Sequence, residues 1–342
     1  MRRKKIVAIC LMGALAMSAL TGCGIGANKT VATMEGADVP YGIVNFMCMY
    51  QQAYADEYYR SMYGDEVWDM ELFRSGESAQ ESVKEDAVEN VHEMYTLDAH
   101  APENLLVEED YAAIDAAVEK FMASNSKKTL CALGADEDLV REFLRLSTVR
   151  SKMYEQIIED VDTQVSDEEA NVRLYTAVTI DLMGYTAEDG SVVAYTEEEK
   201  ASRVDMAEAM VAAMADASEL EAVAEQFGYT ATQMQDSQNY SYIEAEVKNA
   251  LDELSEGTAS GVIVTETAAY VVRLDAASDA ELTQQNRESI IANRKYECYS
   301  AKIAEWQEND GWTVKKGALD SIVFYDHFVS ATGDESVETT EE

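Results

Sequence analysis

The segment 247–274 reads VKNALDELSEGTASGVIVTETAAYVVRL, and it decides the fold of the part of the chain that contains it. It opens with a short helical pattern that ends at Leu254, and Gly257 follows where the chain has to turn. From Val262 to Leu274 the residues are rich in Val, Ile and Thr, which is typical of β-strands. We therefore predict a helix, a turn and β structure in direct succession.

The sequence on either side of this segment mixes strands and helices. Residues 175–183 (YTAVTIDLM) favour a strand, and helical patterns follow at about 196–215 and 218–227. Another long helical pattern begins after the segment, at 279, and continues to about 309. Because strands and helices alternate over a short length, we predict a small α+β domain at 166–276.

The first half of the chain is predominantly helical. Ser78 and Glu81 form a capping-box pattern ahead of a predicted helix at about 79–98. Apolar and aromatic residues recur at spacings of three and four from Ile43 to Tyr58, which gathers them on one face of an earlier helix. Together with further helical patterns at about 107–124 and 135–160, this predicts a helical domain at 31–165 that begins with a short strand.

The N-terminus has the order of parts of a secretory signal. Four basic residues at 2–5 precede an apolar run at 6–20, and Thr21 and Gly22 lead directly to Cys23. The run is shorter than the roughly 20 residues that a membrane-spanning helix needs. The small residues before Cys23 look like a bacterial lipobox, so we expect cleavage of residues 1–22 and lipidation of Cys23. Residues 23–30 would be a tether at the outer face of a membrane; an ordinary signal peptide with a chance cysteine is the alternative.

The chain is strongly acidic, with 26 Lys and Arg against 66 Asp and Glu and a formal net charge of −40. Loss of residues 1–22 removes four basic residues and brings this charge to −44. Such a surface repels phosphate backbones and anionic lipid headgroups, which argues against nucleic acid as a partner and leaves the lipid as the contact with the membrane. Basic or unfolded polypeptides remain compatible partners, and a role in solubility alone is the alternative.

Few residues are available for metal or nucleophilic chemistry. Cys48, Cys131 and Cys298 follow the predicted cleavage site at spacings that define no disulfide framework. The histidines, His92, His100 and His327, form no metal-binding motif, so no metal site and no cofactor are expected. The sequence also lacks G-x-S-x-G, phosphate-loop and dinucleotide-binding patterns, which argues against the corresponding enzyme classes.

The segment 247–274 resembles the C-terminal half of a parvulin-type prolyl isomerase domain. It has a helix that ends in Leu-x-x-Gly, a turn with Ser, a strand that ends in Thr, and a final strand with two β-branched residues and a basic one. The residues at these places are Leu254, Gly257, Ser260, Thr265, Val271, Val272 and Arg273. Residues 218–227 are similar to the parvulin helix that precedes a glycine-rich loop. The whole chain resembles the extracytoplasmic foldases of PrsA and SurA type.

The resemblance implies a mostly helical α+β fold in which a helical chaperone domain carries an inserted parvulin-like domain. A C-terminal helix and strand at 277–328 would return to the N-terminal domain, and the acidic residues 329–342 would be disordered. PrsA-like members carry a lipid anchor, in agreement with the predicted lipidation of Cys23.

The parvulin-like domain departs from the family pattern where catalysis takes place. Tyr270 stands where the histidine of the last strand is expected, and Thr179 and its neighbours lack the histidine of the first strand. Residues 232–242 replace the glycine-rich loop. We therefore expect a degenerate, inactive domain. Asp181 and Tyr270 are candidates for the remnant of a polar network, and ordinary strand residues are the equal alternative.

We predict a membrane-anchored extracytoplasmic folding factor that binds unfolded or newly exported polypeptides. The candidate binding residues are Phe46, Tyr50, Tyr54 and Tyr58 on the predicted aromatic stripe, although a helical stripe of this kind is also typical of a core. Two alternatives remain open. One is an active peptidyl-prolyl isomerase, and the other is a lipoprotein dedicated to one envelope partner.

Overall fold

The computed structural model describes residues 15–17, 29–238, 243–324 and 327–330. Cys23, most of the predicted signal peptide and most of the predicted acidic tail lie outside these ranges. The chain divides into two compact units. Unit 1 consists of Met1–Asp160 and Glu297–Glu342, and unit 2, Val161–Tyr296, is inserted between them in the sequence. Within the described ranges, no helix combines the length and apolarity needed to cross a membrane.

Helices dominate unit 1, whereas unit 2 combines strands and helices. The helices are α1 (Tyr41–Tyr63), α2 (Ala79–His100), α3 (Glu108–Ser124), α4 (Lys127–Leu133), α5 (Glu137–Ile157), α6 (Asp167–Ala170), α7 (Glu197–Ala213), α8 (Leu220–Gln226), α9 (Ala245–Glu253), α10 (Ala280–Gln307) and α11 (Lys316–Leu319). The strands are β1 (Leu15–Met17), β2 (Thr30–Met34), β3 (Ala37–Pro40), β4 (Val172–Asp181), β5 (Gly184–Thr186), β6 (Val192–Ala194), β7 (Ala231–Ser237), β8 (Ile263–Val264), β9 (Ala268–Ala276), β10 (Thr313–Val314) and β11 (Phe328–Ser330). The predicted fold class, α+β and mostly helical, is confirmed.

The start of α2 follows the predicted capping box. The Ser78 side chain accepts a hydrogen bond from the backbone N–H of Glu81, and the Glu81 carboxylate accepts one from the backbone N–H of Ser78 at 2.8 Å. These bonds satisfy N–H groups that a helix N-terminus leaves without an intrahelical partner, a gain of about 1 kcal/mol. They fix the residue at which α2 begins.

The core of unit 1 is built around α1. Phe46 is fully buried and meets the rings of Phe121 and Phe143 edge-on, at centroid distances of 5.9 and 5.1 Å. Three small strands complete this unit in the order β10-β2-β3, so the chain after α10 pairs with a strand near the N-terminus. Strand β1, which lies in the predicted signal peptide, pairs with β11.

Unit 2 contains a four-stranded antiparallel sheet in the order β7-β4-β9-β8. Successive side chains of a strand point to opposite faces, so β4 contributes to two cores. Val178 and Ile180 pack with α7 and α8 on one face, while Tyr175 and Ala177 pack with α9 on the other. The β-rich stretches recognised in the sequence lie in β4, β8 and β9. Residues 231–237, by contrast, form the edge strand β7 because they pair with residues 172–178 of β4.

Helix α10 contributes residues to both units. Its residues up to Tyr296 belong to unit 2, whereas the sequence analysis assigned everything from 277 onward to the segment that returns to the N-terminal domain. Polar contacts explain the difference. Asn286 donates to the backbone C=O of Ala170 at 2.9 Å, and Arg294 pairs with Glu169 at 2.6 Å, which fastens the first half of α10 to the start of unit 2.

Candidate functional site

The predicted aromatic stripe of α1 divides into a buried and an exposed part. Phe46 is fully buried and Tyr50 is half-buried, whereas Tyr54 and Tyr58 are 85% and 63% exposed. The first half of the helix lies within the core of unit 1, which encloses Phe46. Burial leaves Phe46 no surface to offer to a polypeptide, so we remove it from the candidate binding residues.

The exposed part of the stripe is larger than the sequence analysis proposed. Met62 follows Tyr54 and Tyr58 at the same spacing of four, so all three side chains share one face of α1, and Met62 is 54% exposed. Tyr58 contacts the ring of Tyr59 at 5.3 Å, and Tyr59 contacts Phe73 at 5.4 Å. We call these five residues the α1 aromatic surface. The continued spacing could have revealed Met62, but no local pattern points to Phe73.

A buried carboxylate fixes the opposite side of α1. Asp56 is fully buried and accepts hydrogen bonds from Trp68 Nε1 at 2.7 Å and from the backbone N–H of Phe328 at 2.6 Å. The Trp68 ring in turn packs edge-on against Tyr59 at 5.9 Å. These contacts hold this part of α1 and the Tyr59 ring of the α1 aromatic surface in place.

The surroundings of the α1 aromatic surface are negative. Residues 55–77 contain seven Asp and Glu against two basic residues, Arg60 and Arg74. Arg60 pairs with Asp65 at 2.5 Å and holds the pKa of that carboxyl below its usual range, while Arg74 pairs with Glu85 and Asp86. Nearby carboxylates therefore neutralise the charges of Arg60 and Arg74. The remaining negative charge would complement an apolar segment with basic flanks.

In unit 2, Asp181 and Tyr270 lie on the same face of the sheet but in separate networks. Tyr270 is opposite Thr179 and Asp181 is opposite Ala268 in the pairing of β4 with β9. The carboxylate of Asp181 accepts hydrogen bonds from the backbone N–H groups of Met183 and Gly184, at 2.6 and 3.2 Å. Asp181 therefore stabilises the turn that follows β4.

The Tyr270 hydroxyl instead donates to Glu244 Oε1 at 2.9 Å, and Thr267 donates to the same oxygen at 2.5 Å. The hydrogen bond from Thr267 lowers the pKa of Glu244, while burial raises the pKa of Tyr270. Near neutral pH a phenol is thus bonded to a carboxylate. Sequence reasoning missed Glu244, because it lies outside any strand and far from Tyr270 in the chain.

A polar cleft of about 420 Å³ lies at the other end of this sheet, where β4, β7 and α9 meet. Arg173 dominates it, pairing with Asp236 and Asp252 at 2.6 Å each. One guanidinium thus bridges both carboxylates, with Lys248 3.8 Å from Asp252, and Arg173, Asp236 and Asp252 connect two strands to a helix. We assign them a structural role.

Nucleophilic and metal chemistry have little support in the described ranges. Burial raises the pKa of the free Cys48 thiol to about 12, so it stays protonated at neutral pH. The sequence of unit 2 contains no histidine. Among the residues with described positions, no three His, Cys, Asp or Glu side chains are grouped to hold a metal ion.

Neither a protein-family model nor a curated protein matches the sequence. Solved structures similar to this chain include the foldase protein PrsA from Streptococcus pneumoniae, at 16% identity and a TM-score of 0.26, covering 74% of this chain and 97% of that one. The peptidylprolyl isomerase PrsA from Bacillus cereus is similar at 14% identity and a TM-score of 0.32, covering 75% of this chain and 96% of that one. A structure from a study of the SurA-like chaperones PEB4 and Cj1289 of Campylobacter jejuni is similar at 9% identity and a TM-score of 0.28, covering 84% of this chain and 99% of that one. At these values the similarities carry no argument about function.

Proposed function

We propose that this protein is a membrane-anchored extracytoplasmic folding factor that binds unfolded, newly exported polypeptides. The observation that carries the proposal is the exposure of Tyr54, Tyr58 and Met62 on one face of α1. Neighbouring large apolar side chains that stay in water typically mark an interaction surface. The binding site is the α1 aromatic surface.

The chemistry of this surface suits clients of varied sequence. Tyrosine rings offer apolar area together with a polar hydroxyl, and methionine adapts its shape to irregular partners. Covering one such side chain is worth about 1.5–3 kcal/mol before entropic costs, so a few contacts give weak, reversible binding. The negative surroundings keep complexes soluble and favour basic flanks in the client.

We further propose that unit 2 is a parvulin-like domain without isomerase activity. Rotation about a prolyl bond has a barrier of about 20 kcal/mol, which an enzyme lowers by binding the twisted form better than the planar one. The polar groups on the candidate face are already committed, Tyr270 to Glu244 and Asp181 to the turn after β4. These bonds leave neither group poised for a substrate.

The proposed location rests on the N-terminal sequence. The basic residues, the short apolar run and Cys23 support export, cleavage and attachment of lipid to the cysteine. Each buried methylene of the acyl chains would add about 0.8 kcal/mol of membrane affinity, so several chains give stable anchoring.

An aggregation assay tests the binding function. The chain from Gly24 onward is mixed with an unrelated chemically unfolded protein, and light scattering is followed after dilution. We expect the wild type to suppress scattering and the double variant Tyr54→Ser/Tyr58→Ser to lose most of that protection. Tyr111→Ser and Tyr296→Ser are matched controls, since these tyrosines are 51% and 68% exposed elsewhere. Equal protection by all variants would contradict the assigned surface.

A prolyl isomerisation assay on a proline-containing peptide is run beside it. We expect a rate equal to the uncatalysed one. Catalysis well above background would overturn the inactive assignment, and Tyr270→Phe and Asp181→Asn would then show whether either residue contributes to it. If the wild-type chain protects no unrelated client from aggregation but binds one envelope protein, the dedicated-partner alternative is favoured.

A further inference from the structure

Unit 2 carries an apolar hairpin between the predicted strand at 175–183 and the predicted helix at about 196–215. Strands β5 and β6 pair antiparallel between β4 and α7, with Tyr185 opposite Val193. Met183 and Val192 are 58% and 79% exposed, and Tyr185 and Val193 are also exposed. Because successive side chains of a strand point to opposite faces, Val192 and Val193 place apolar surface on both faces of β6.

The hairpin is fastened at its base. The Asp181 carboxylate accepts hydrogen bonds from the backbone N–H groups of Met183 and Gly184 where the hairpin begins, and Arg203 Nε donates to the backbone C=O of Asp181 at 2.6 Å. The Arg203 guanidinium also lies 4.5 Å from the ring centroid of Tyr195. An isolated two-stranded hairpin is only marginally stable in water, so these contacts compensate for the missing apolar cover.

Gly184 allows the two strands to approach closely. A Cβ atom built at this position would lie 2.2 Å from the backbone oxygen of Val193, so any other residue would push the strands apart. The close pairing keeps β6 extended with its valines outward. Among the described strands, β5 and β6 pair only with each other, which leaves the outer edge of each available to another extended chain.

The charges around the hairpin select the kind of partner. Glu188 and Asp189 stand at its tip, and three glutamates at 197–199 follow its second strand. The two nearby cations are engaged, Lys200 with Glu197 at 2.9 Å and Arg203 at the base. An apolar strand with acidic ends complements an apolar segment with basic ends.

We propose that this hairpin is a second contact site for the client, which docks as an extended apolar segment flanked by Lys or Arg. Main-chain hydrogen bonds along a hairpin edge would provide affinity that depends little on sequence, and the exposed Val, Tyr and Met side chains would select apolar residues. The inference rests on the proposed function, because it takes the client to be an unfolded polypeptide. A second copy of this chain is a poor occupant, since its net charge is also strongly negative.

Fluorescence anisotropy of a labelled peptide tests the site on the chain from Cys23 onward, the form that the predicted cleavage leaves. The probe has four alternating Val and Thr residues flanked by two Lys on each side, and a matched probe carries Glu in place of Lys. Tenfold weaker binding of the Lys probe by Val192→Ser/Val193→Ser is expected, since loss of about 1.4 kcal/mol corresponds to that factor. Val264→Ser is the control, because Val264 is an exposed strand valine of the same unit. The Glu probe should bind at least tenfold more weakly than the Lys probe to the wild type.

Hydrogen exchange on the wild type provides a readout that does not depend on a variant folding. Amides of β5 or β6 should become protected when the Lys probe is added, and amides of β8 should not. Unchanged protection at 184–194, or equal binding by the hairpin variant and the control, would overturn the hairpin site. If the hairpin site is overturned but Tyr54→Ser/Tyr58→Ser still weakens protection of the client from aggregation, the proposed function stands without the hairpin site. Dimerisation lost in the hairpin variant would assign the surface to self-association and overturn client docking.

Discussion

Replacement of the buried Asp56 carboxylate should strongly destabilise unit 1. The variant Asp56→Ala leaves the Trp68 indole N–H and the Phe328 backbone N–H without their acceptor, both beside the core. A buried donor that loses its partner costs about 1–3 kcal/mol, and hydrogen bonds to a charged group lie at the upper end. We therefore expect the free energy of unfolding of unit 1 to fall by about 3–5 kcal/mol.

Urea unfolding followed by tryptophan fluorescence measures this loss. Trp68, Trp306 and Trp312 all lie in unit 1, so the signal reports on that unit alone. The matched control is Asp65→Ala, which removes an exposed carboxylate from its pair with Arg60 and should lower the stability far less than Asp56→Ala, because water screens an exposed ion pair. A loss below about 1 kcal/mol for Asp56→Ala would refute the role of Asp56 as the anchor of the C-terminal strand.

Three further perturbations have expected outcomes. Phe46→Ala should destabilise unit 1 by about 3–5 kcal/mol in the same urea titration, whereas Tyr54→Ala should change its stability by less than about 0.5 kcal/mol. Gly184→Ala should loosen the hairpin, seen as faster amide exchange at 184–194 with unchanged exchange in β4 and β9. Burial raises the pKa of Tyr175 to about 12, above its value near 10 in the unfolded chain, so the folded state keeps its proton longer. Stability should therefore fall between about pH 10 and 12, and Tyr175→Phe should lessen that fall; an unchanged slope would contradict it.

Local sequence patterns were enough to predict several elements. Ser78 and Glu81 identified the start of α2 because a capping box depends only on residues three apart. The β-branched residues of 175–183 and 262–274 identified the central strands, since a strand buried on both faces needs apolar residues at most positions. The insertion of one unit into the other came from the resemblance and not from any local pattern.

Tertiary contacts decided what the patterns left open. Phe46 and Tyr54 belong to one helical stripe. Only the packing around each half of α1 determines that Phe46 lies in the core and Tyr54 at the surface. Strands β5 and β6 have three residues each, too few for alternation to be recognised. Glu244 was missed because its bond to Tyr270 joins residues 26 positions apart, a contact that no sequence spacing predicts.

Site-specific crosslinking from the α1 aromatic surface shows directly whether this surface binds unfolded polypeptides. A photoreactive phenylalanine derivative replaces Tyr58 in the chain from Gly24 onward, and in a second protein it replaces Tyr111. Each protein is illuminated with one unrelated protein in its unfolded and its folded state. We predict crosslinks from position 58 to the unfolded state only, and few from position 111. Equal crosslinking from both positions, or none from position 58, would contradict the proposal that this surface binds unfolded polypeptides.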